Sequence, residues 1–334
     1  MARDPDLTVL VAGETLIDFL PERPGSLASV ERFERRPGGA PANVAVGLAR
    51  LAAPPLFWTR VGDDPFGHYL ERQLVDYGLP DRFIERDPVA KTTLAFVTHD
   101  DAGERTFTFY RDGTADTRLE PGRIDDATLE VLEWVHLGGV TLATGSARAA
   151  TMDLLERASD AGCTVSFDPN HRPELWHDDG TFVEVVRGVF PHIDVCKATV
   201  GELERLGFDG ETPSALARAA IEHGPQVCFV TRGSEGALAV AEPSSPWTGP
   251  DDSSSDPIVA EFGGYDVDAV DTTGAGDAFV AGAITALRGA TSLEKTLAFA
   301  CAVAAIATTE PGAMAALPDR ESVRAFRRER SESR

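Results

Sequence analysis

Lysine is nearly missing from this chain of 334 residues: only Lys91, Lys197 and Lys295 occur, against 28 arginines. Acidic residues number 54 and the net charge is −23. A field of that sign repels the phosphates of nucleic acids and of anionic membranes, so neither is an expected partner. Acid excess with arginine in place of lysine is the pattern expected of adaptation to a salt-rich interior, where screening shortens self-repulsion. Cysteine is sparse too. Cys163, Cys196, Cys228 and Cys301 each stand alone among apolar residues, with no CxxC and no histidine at zinc-ligand spacing. That excludes a disulfide framework and a structural zinc, and fits a reduced, cytoplasmic protein. No apolar run approaches the roughly 20 residues that span a bilayer. The opening MARDPDLTVLVAGE is acidic and passes directly into a strand, so secretion and membrane anchoring are not expected.

What the chain does have is a 43% hydrophobic content, enough for one large core. Short apolar runs recur at 7–14, 134–140, 163–169, 192–198 and 226–233, the signal of strands buried on both faces of a parallel sheet. Amphipathic stretches at 42–51, 147–162 and 214–224 separate them. Alternation of this kind predicts an α/β fold with a largely parallel central sheet. Segments 16–36 and 92–111 break the pattern; the latter reads as two strands around a DDAG turn, and the two together predict a small sheet able to act as a lid. Segment 242–257, EPSSPWTGPDDSSSDP, has no apolar period and is expected to be a solvated acidic insertion. A single domain over 1–334 is the expectation.

The strongest chemical signal is VDAVDTTGAGDAFVAGAITAL at 267–287. A polar, glycine-bearing turn opens directly into a small-residue helix, so Gly274, Ala275 and Gly276 would present backbone N–H groups to an anion, with Asp277 in the first turn. The helix dipole would hold that carboxylate ionised as a weak base. The alternative is that Gly-Ala-Gly serves close helix packing alone. At 36–51, RPGGAPANVAVGLARL places Gly38 and Gly39 where backbone can approach a ligand closely, and gives Asn43 a donor and an acceptor for a hydroxyl. Asp18, in GETLIDF, follows the first strand, where a parallel sheet forms its ligand crevice. There is no GxxxxGK[ST] loop and no HRD and DFG set, so phosphate must be handled by other means.

DTTGAGDAF closely resembles the C-terminal signature of PfkB, or ribokinase-like, carbohydrate kinases, and RPGGAPANVAVGLARL resembles their N-terminal signature. The resemblance runs over roughly 7–318. It implies an αβα sandwich with a β lid that often mediates homodimerisation, ATP and Mg2+ as cofactors, Asp277 as catalytic base, residues 274–276 as anion hole, and Asp18 as a sugar-hydroxyl ligand. VTRGSEGALAV is similar to the family's nucleotide loop and implies ATP contacts at Thr231, Gly233 and Gly236. In CKATVGELERL, Lys197 and Glu202 match the place of an Asn-x-x-Glu motif tied to phosphate and to magnesium-bound water, with Thr199 where asparagine is common. SFDPNHRPELW and FTFYRDGTAD look like segments of the fructokinase and 2-keto-3-deoxygluconate kinase branches, which makes Asn170 a nucleotide candidate and Arg172, Tyr110 and Arg111 substrate candidates. Cys301 stands where the family often has asparagine beside adenine, and Asp271 and Thr273 match a monovalent-cation site, K+ in parts of the family.

The function expected is transfer of the ATP γ-phosphate to a sugar hydroxyl, with fructose the first choice and 2-keto-3-deoxygluconate the rival. A nucleoside kinase and a non-catalytic sugar sensor on the same fold are the further alternatives.

Overall fold

The computed structural model describes residues 7–23, 25–99, 105–248 and 255–331. The strands, in chain order, are β1 (Val9–Ala12), β2 (Leu16–Pro21), β3 (Phe33–Gly38), β4 (Leu56–Gly62), β5 (Ile84–Asp87), β6 (Leu94–His99), β7 (Arg105–Tyr110), β8 (Trp134–Gly138), β9 (Thr164–Asp168), β10 (Val195–Thr199), β11 (Val227–Thr231), β12 (Ala237–Ala241) and β13 (Ile258–Phe262). Nine of them form the main sheet in the order β13-β12-β11-β10-β9-β8-β1-β4-β5. All neighbours pair parallel except at the β11–β12–β13 edge, which is antiparallel. The α/β class read from the alternation is thus the class observed.

The helices are α1 (Ala40–Arg50), α2 (Pro65–Asp76), α3 (Asp126–Leu129), α4 (Gly145–Asp160), α5 (Asp179–Val189), α6 (Val200–Arg205), α7 (Pro213–Ile221), α8 (Ala275–Arg288), α9 (Leu293–Ala307) and α10 (Arg320–Ser331). Because side chains alternate along a strand, each one feeds two cores. Leu10 and Ala12 of β1, Cys196 and Ala198 of β10, and Cys228 and Val230 of β11 pack with α4, α5, α6 and α7. Val9, Val11, Val195, Val227 and Phe229 pack on the opposite side with α1, α8 and α9. The result is a three-layer αβα sandwich.

Strands β3, β2, β6 and β7 form a second, four-stranded sheet beside the first. The DDAG turn expected between β6 and β7 lies outside the described residues. Register assigns the two faces of this sheet. Asp18, Ala95 and Phe109 are paired neighbours on one face; Phe19, Phe96 and Thr108 are paired neighbours on the other. Segment 242–257, expected to be solvated, is described except for 249–254, and its beginning is anchored rather than free. Trp247 packs on Trp134 with ring centroids 6.0 Å apart and donates its indole N–H to the Leu287 carbonyl at 3.2 Å, so the one large apolar side chain of the insertion finds a buried partner.

Helix α8 is crowded on both sides. A Cβ on Gly282 would stand 2.8 Å from the Ala300 backbone of α9, and one on Gly47 of α1 would stand 2.7 Å from the Ala281 Cβ. Gly188 in α5, by contrast, faces open space. Opposite outcomes follow for the same substitution. Gly282→Ala should lower unfolding stability by about 1–3 kcal/mol through overpacking, whereas Gly188→Ala should raise it by about 0.5 kcal/mol by restricting the unfolded chain. Urea denaturation of both variants, read as midpoints at constant slope, checks the pair.

Candidate active site

The site gathers where strands of the main sheet end and the small sheet begins. Gly274 adopts a left-handed conformation, φ 76°, and starts α8 with no side-chain cap. The Ala275 N–H donates to the Thr272 carbonyl at 3.2 Å, and no side chain caps the amides that follow, as an anion site requires. The turn is seated by close packing: a Cβ on Gly274 would lie 2.8 Å from the Ala313 Cβ.

Asp277 follows in the first turn and is buried. Its Oδ2 accepts a 2.7 Å hydrogen bond from Asn43 Nδ2, joining the two motifs 234 residues apart. Burial pushes its pKa up to about 6; the Asn43 hydrogen bond opposes this, the Asp168 charge adds to it, and Lys197 and Arg172 oppose it. At about 6 the carboxylate is still ionised at neutral pH and has a higher proton affinity than an exposed aspartate, because burial raises it.

Beneath the turn lies Lys197 of β10. Its Nζ would be 3.1 Å from a Cβ on Gly276, and it donates to Asp168 Oδ2 at 2.9 Å. Burial alone would strip its proton, but the carboxylates of Asp168, Glu202 and Asp277 outweigh burial and hold the ammonium charged. Glu202 closes a capping box at the start of α6: Oε2 accepts from the Thr199 N–H and hydroxyl, and Oε1 accepts from the His171 N–H at 2.9 Å. Against the upward push of burial, Lys197 and these donors hold it below the usual carboxylate range. Thr199 thus acts as a helix cap rather than as a ligand in asparagine's place.

Asp18 reaches in from the small sheet. Its carboxylate lies over Gly38, where a Cβ would sit 2.0 Å from Oδ2, so a larger residue there would displace the carboxylate. Gly39, at φ 102°, brings its backbone so near Glu14 that a Cβ would stand 2.6 Å from the Glu14 carbonyl. Burial raises Asp18 to about 7, Arg172 opposes this and Asp277 adds to it. Arg172 donates to the His171 carbonyl at 2.9 Å and lies 5.8 Å from the ring centre of Phe107, on the Asp18 face of the small sheet. Arg111 is buried and donates to Asp116 Oδ2 at 2.6 Å.

Several candidates stand elsewhere. Tyr110, expected to touch substrate, is opposite in parity to Phe109; it points to the face away from Asp18, is 57% exposed and packs edge-on to Phe96. Cys301 packs within the α8–α9 layer, and burial pushes its thiol up to about 12, so it is a neutral core group. Asp271 accepts from the Thr273 N–H and hydroxyl and from the Gly312 N–H, bracing the loop before α8. Thr231, Gly233 and Gly236 belong to the β11–β12 hairpin at the same sheet edge. Asn170 follows β9, its N–H bonded to Asp168 Oδ1. Among the described residues no three His, Cys, Asp or Glu side chains converge as a metal group.

Residues 6–320 match the model of the pfkB family of carbohydrate kinases. The chain belongs to that family. It is 36% identical to the probable chloroplastic fructokinase-6 of Arabidopsis thaliana over 94% of this chain and 81% of that protein. A fructokinase from Xylella fastidiosa solved with bound ATP superposes with a TM-score of 0.85 at 30% identity, covering 97% of this chain and 98% of that one. A fructokinase from Vibrio cholerae O395, solved with fructose, ADP and calcium, gives a TM-score of 0.81 at 31% identity over 97% and 99%.

Within this pfkB-family kinase, sequence reasoning overlooked Glu14, Asp116 and Asp168. The signal that selected Asp18 applies equally to two of them, since Asp168 ends β9 and Glu14 lies two residues beyond β1. The Asp168–Lys197 pair also generates a test. Lys197→Met leaves a buried carboxylate without its counter-charge and should cost about 3–5 kcal/mol, with Asp168→Asn in the same chain recovering much of the loss. Chemical denaturation of the single and double variants measures it.

Proposed function

We propose that this kinase transfers the γ-phosphate of ATP to a hydroxyl of fructose, with Asp277 as the base. The observation that carries the reading is a buried carboxylate, raised to about 6, in the first turn of an uncapped helix directly above a charged lysine. The sugar hydroxyl gives its proton to Asp277 as its oxygen attacks the γ-phosphorus, and the bond from that phosphorus to the β,γ-bridging oxygen breaks to release ADP. The Gly274 and Gly276 amides and the Lys197 ammonium stabilise the charge on the phosphoryl group in flight, while the Ala275 amide, bonded to the Thr272 carbonyl, shapes the turn. Asp18 and Asn43 orient the sugar. Thr231, Gly233, Gly236 and Asn170 lie on the nucleotide side. Glu202 Oε1 accepts one protein N–H and keeps a lone pair, so Glu202 and Asp168 fit a magnesium ion held through its waters, which supplies charge neutralisation on the phosphates. Asp271 accepts from two backbone amides and a hydroxyl, as Glu202 does, so Asp271 and Thr273 would be the side chains to hold a potassium ion; no step runs through that ion.

Charge favours fructose over the keto acid. Arg111 is paired with Asp116, and Arg172 is faced by Glu14, Asp18 and Asp277. Neither of these two guanidinium groups is left uncompensated to hold a sugar carboxylate, and a neutral polyol meets no such repulsion. The small sheet would act as a lid over the sugar. Its outer aromatic face, with Phe19, Phe33, Phe96 and Tyr110, supports a homodimer through that sheet. Composition supports a cytoplasmic, salt-adapted enzyme.

Phosphorylation of fructose, 2-keto-3-deoxygluconate, ribose and adenosine, compared with magnesium in concentrated potassium chloride, tests the substrate. Fructose should lead; preference for the keto acid would sink the reading. Asp277→Asn should lower kcat by about 100-fold or more, the scale of a lost general base. A base must be ionised, so kcat/KM in the wild type should fall as pH drops through about 6 and level off above it. Asn43→Ala removes an interaction that lowers the Asp277 pKa, so its acid limb should move to higher pH.

A further inference from the structure

Glu14 is 2% exposed, yet its Oε2 has no hydrogen-bond partner among the described residues. The same holds for Nη2 of Arg111, itself 5% exposed, and for Oδ1 of Asn43 and of Asn170. Orphaned polar atoms at such depth are costly, and these four lie on the segments that meet at the proposed site, where a sugar or nucleotide would satisfy them. Glu14 also lies where a parallel sheet exposes its crevice, just beyond β1, and its backbone is fixed by Gly39 packing on its carbonyl.

The set has a chemical bias. Asn43 Nδ2 is committed to Asp277, so Asn43 offers an acceptor. Glu14 offers another, and Arg111 offers a donor. Adjacent hydroxyls of a sugar can donate to the first two and accept from the third. A carboxylate can only accept, so it would meet Arg111 but leave both acceptors unmatched. Arg111 is already paired with Asp116, and Arg172 lies within electrostatic reach of Glu14, Asp18 and Asp277 alike. Glu14 is therefore on the Arg111–Asp116 side of the site, and Asp18 on the Asp277 side.

We propose that Glu14 is a substrate-contacting residue that, together with Arg111, reads neighbouring hydroxyls of the sugar and so sets the preference for a neutral ketose over a sugar acid. The inference rests on the fructose reading above and adds to it a contact that none of the motifs assigns.

The experiment compares wild type, Glu14→Gln and Glu14→Ala with fructose, a panel of singly deoxygenated fructoses, 2-keto-3-deoxygluconate and ATP. Glu14→Ala should raise the KM for fructose by about tenfold or more, the scale of a lost hydrogen bond to a charged group, while the KM for ATP stays unchanged. One deoxy sugar should be poor for wild type, yet no worse than fructose for Glu14→Ala. Glu14→Gln, which keeps the shape and removes the charge, should raise the ratio of keto-acid to fructose turnover. An unmoved fructose KM, equal losses for sugar and ATP, or undiminished sensitivity to every deoxygenation would overturn the role of Glu14. Wild-type inactivity on fructose would overturn the substrate reading and this inference with it, whereas normal wild-type turnover with an unmoved Glu14→Ala overturns this inference alone.

Discussion

The site depends on placing several carboxylates in a space with few cations and little water. Asp168, Asp277 and Glu202 all act on the single ammonium of Lys197, and Glu14, Asp18 and Asp277 all act on the guanidinium of Arg172. Burial penalises each negative charge, so the groups divide according to the donors they receive. Glu202, with three donors from Thr199 and His171, falls below the ordinary range and stays ionised. Asp277, with one side-chain donor, rises to about 6 and keeps a proton affinity useful to a base. Asp18 and Glu14 rise further, to about 7.

Backbone geometry enforces this arrangement through small side chains. The α8 amides can meet a phosphate only if the turn before them sits low between Asn43 and the Ala313 loop, and Gly274 permits that approach. Gly47 and Gly282 then let α1 and α9 close on α8. The two readings of Gly-Ala-Gly, helix packing and anion binding, are thus compatible: close packing holds the start of α8 where the proposed anion hole needs it.

Legibility in the sequence followed the range of the interactions. Strands β1, β8, β9, β10 and β11 were readable because burial on both faces leaves a continuous apolar run. The antiparallel β12–β13 edge was not, since ALAVA and IVAEF adjoin the Pro- and Ser-rich stretch and acquire strand identity from pairing with β11. At the site, Asp277, Asn43, Asp18, Lys197 and Arg172 were legible from motif and position. Tyr110 was misassigned because a one-residue change of parity moves a side chain to the other face of a strand, and only the β6–β7 register fixes that parity. Cys301 was misassigned because a position in a helix does not say whether its side chain faces ligand or core. Asp168 carried a positional signal at the end of β9 that was passed over, whereas Asp116 was invisible because its partner Arg111 identifies it only once the chain is folded.

A net charge of −23 opposes the approach of a tetra-anionic nucleotide. Reach resolves the conflict. Ionic strength screens the exposed acids beyond about 8–10 Å, and more strongly in a salt-rich interior. Lys197 is buried directly under the α8 turn, where its field is screened far less. Selection for an acidic surface can thus proceed without altering what a phosphate meets at the helix end, provided the buried ammonium remains. Only three lysines survive in this chain, and Lys197 is one of them; a compact, strongly charged group fits below Gly276 where a planar guanidinium would need more room.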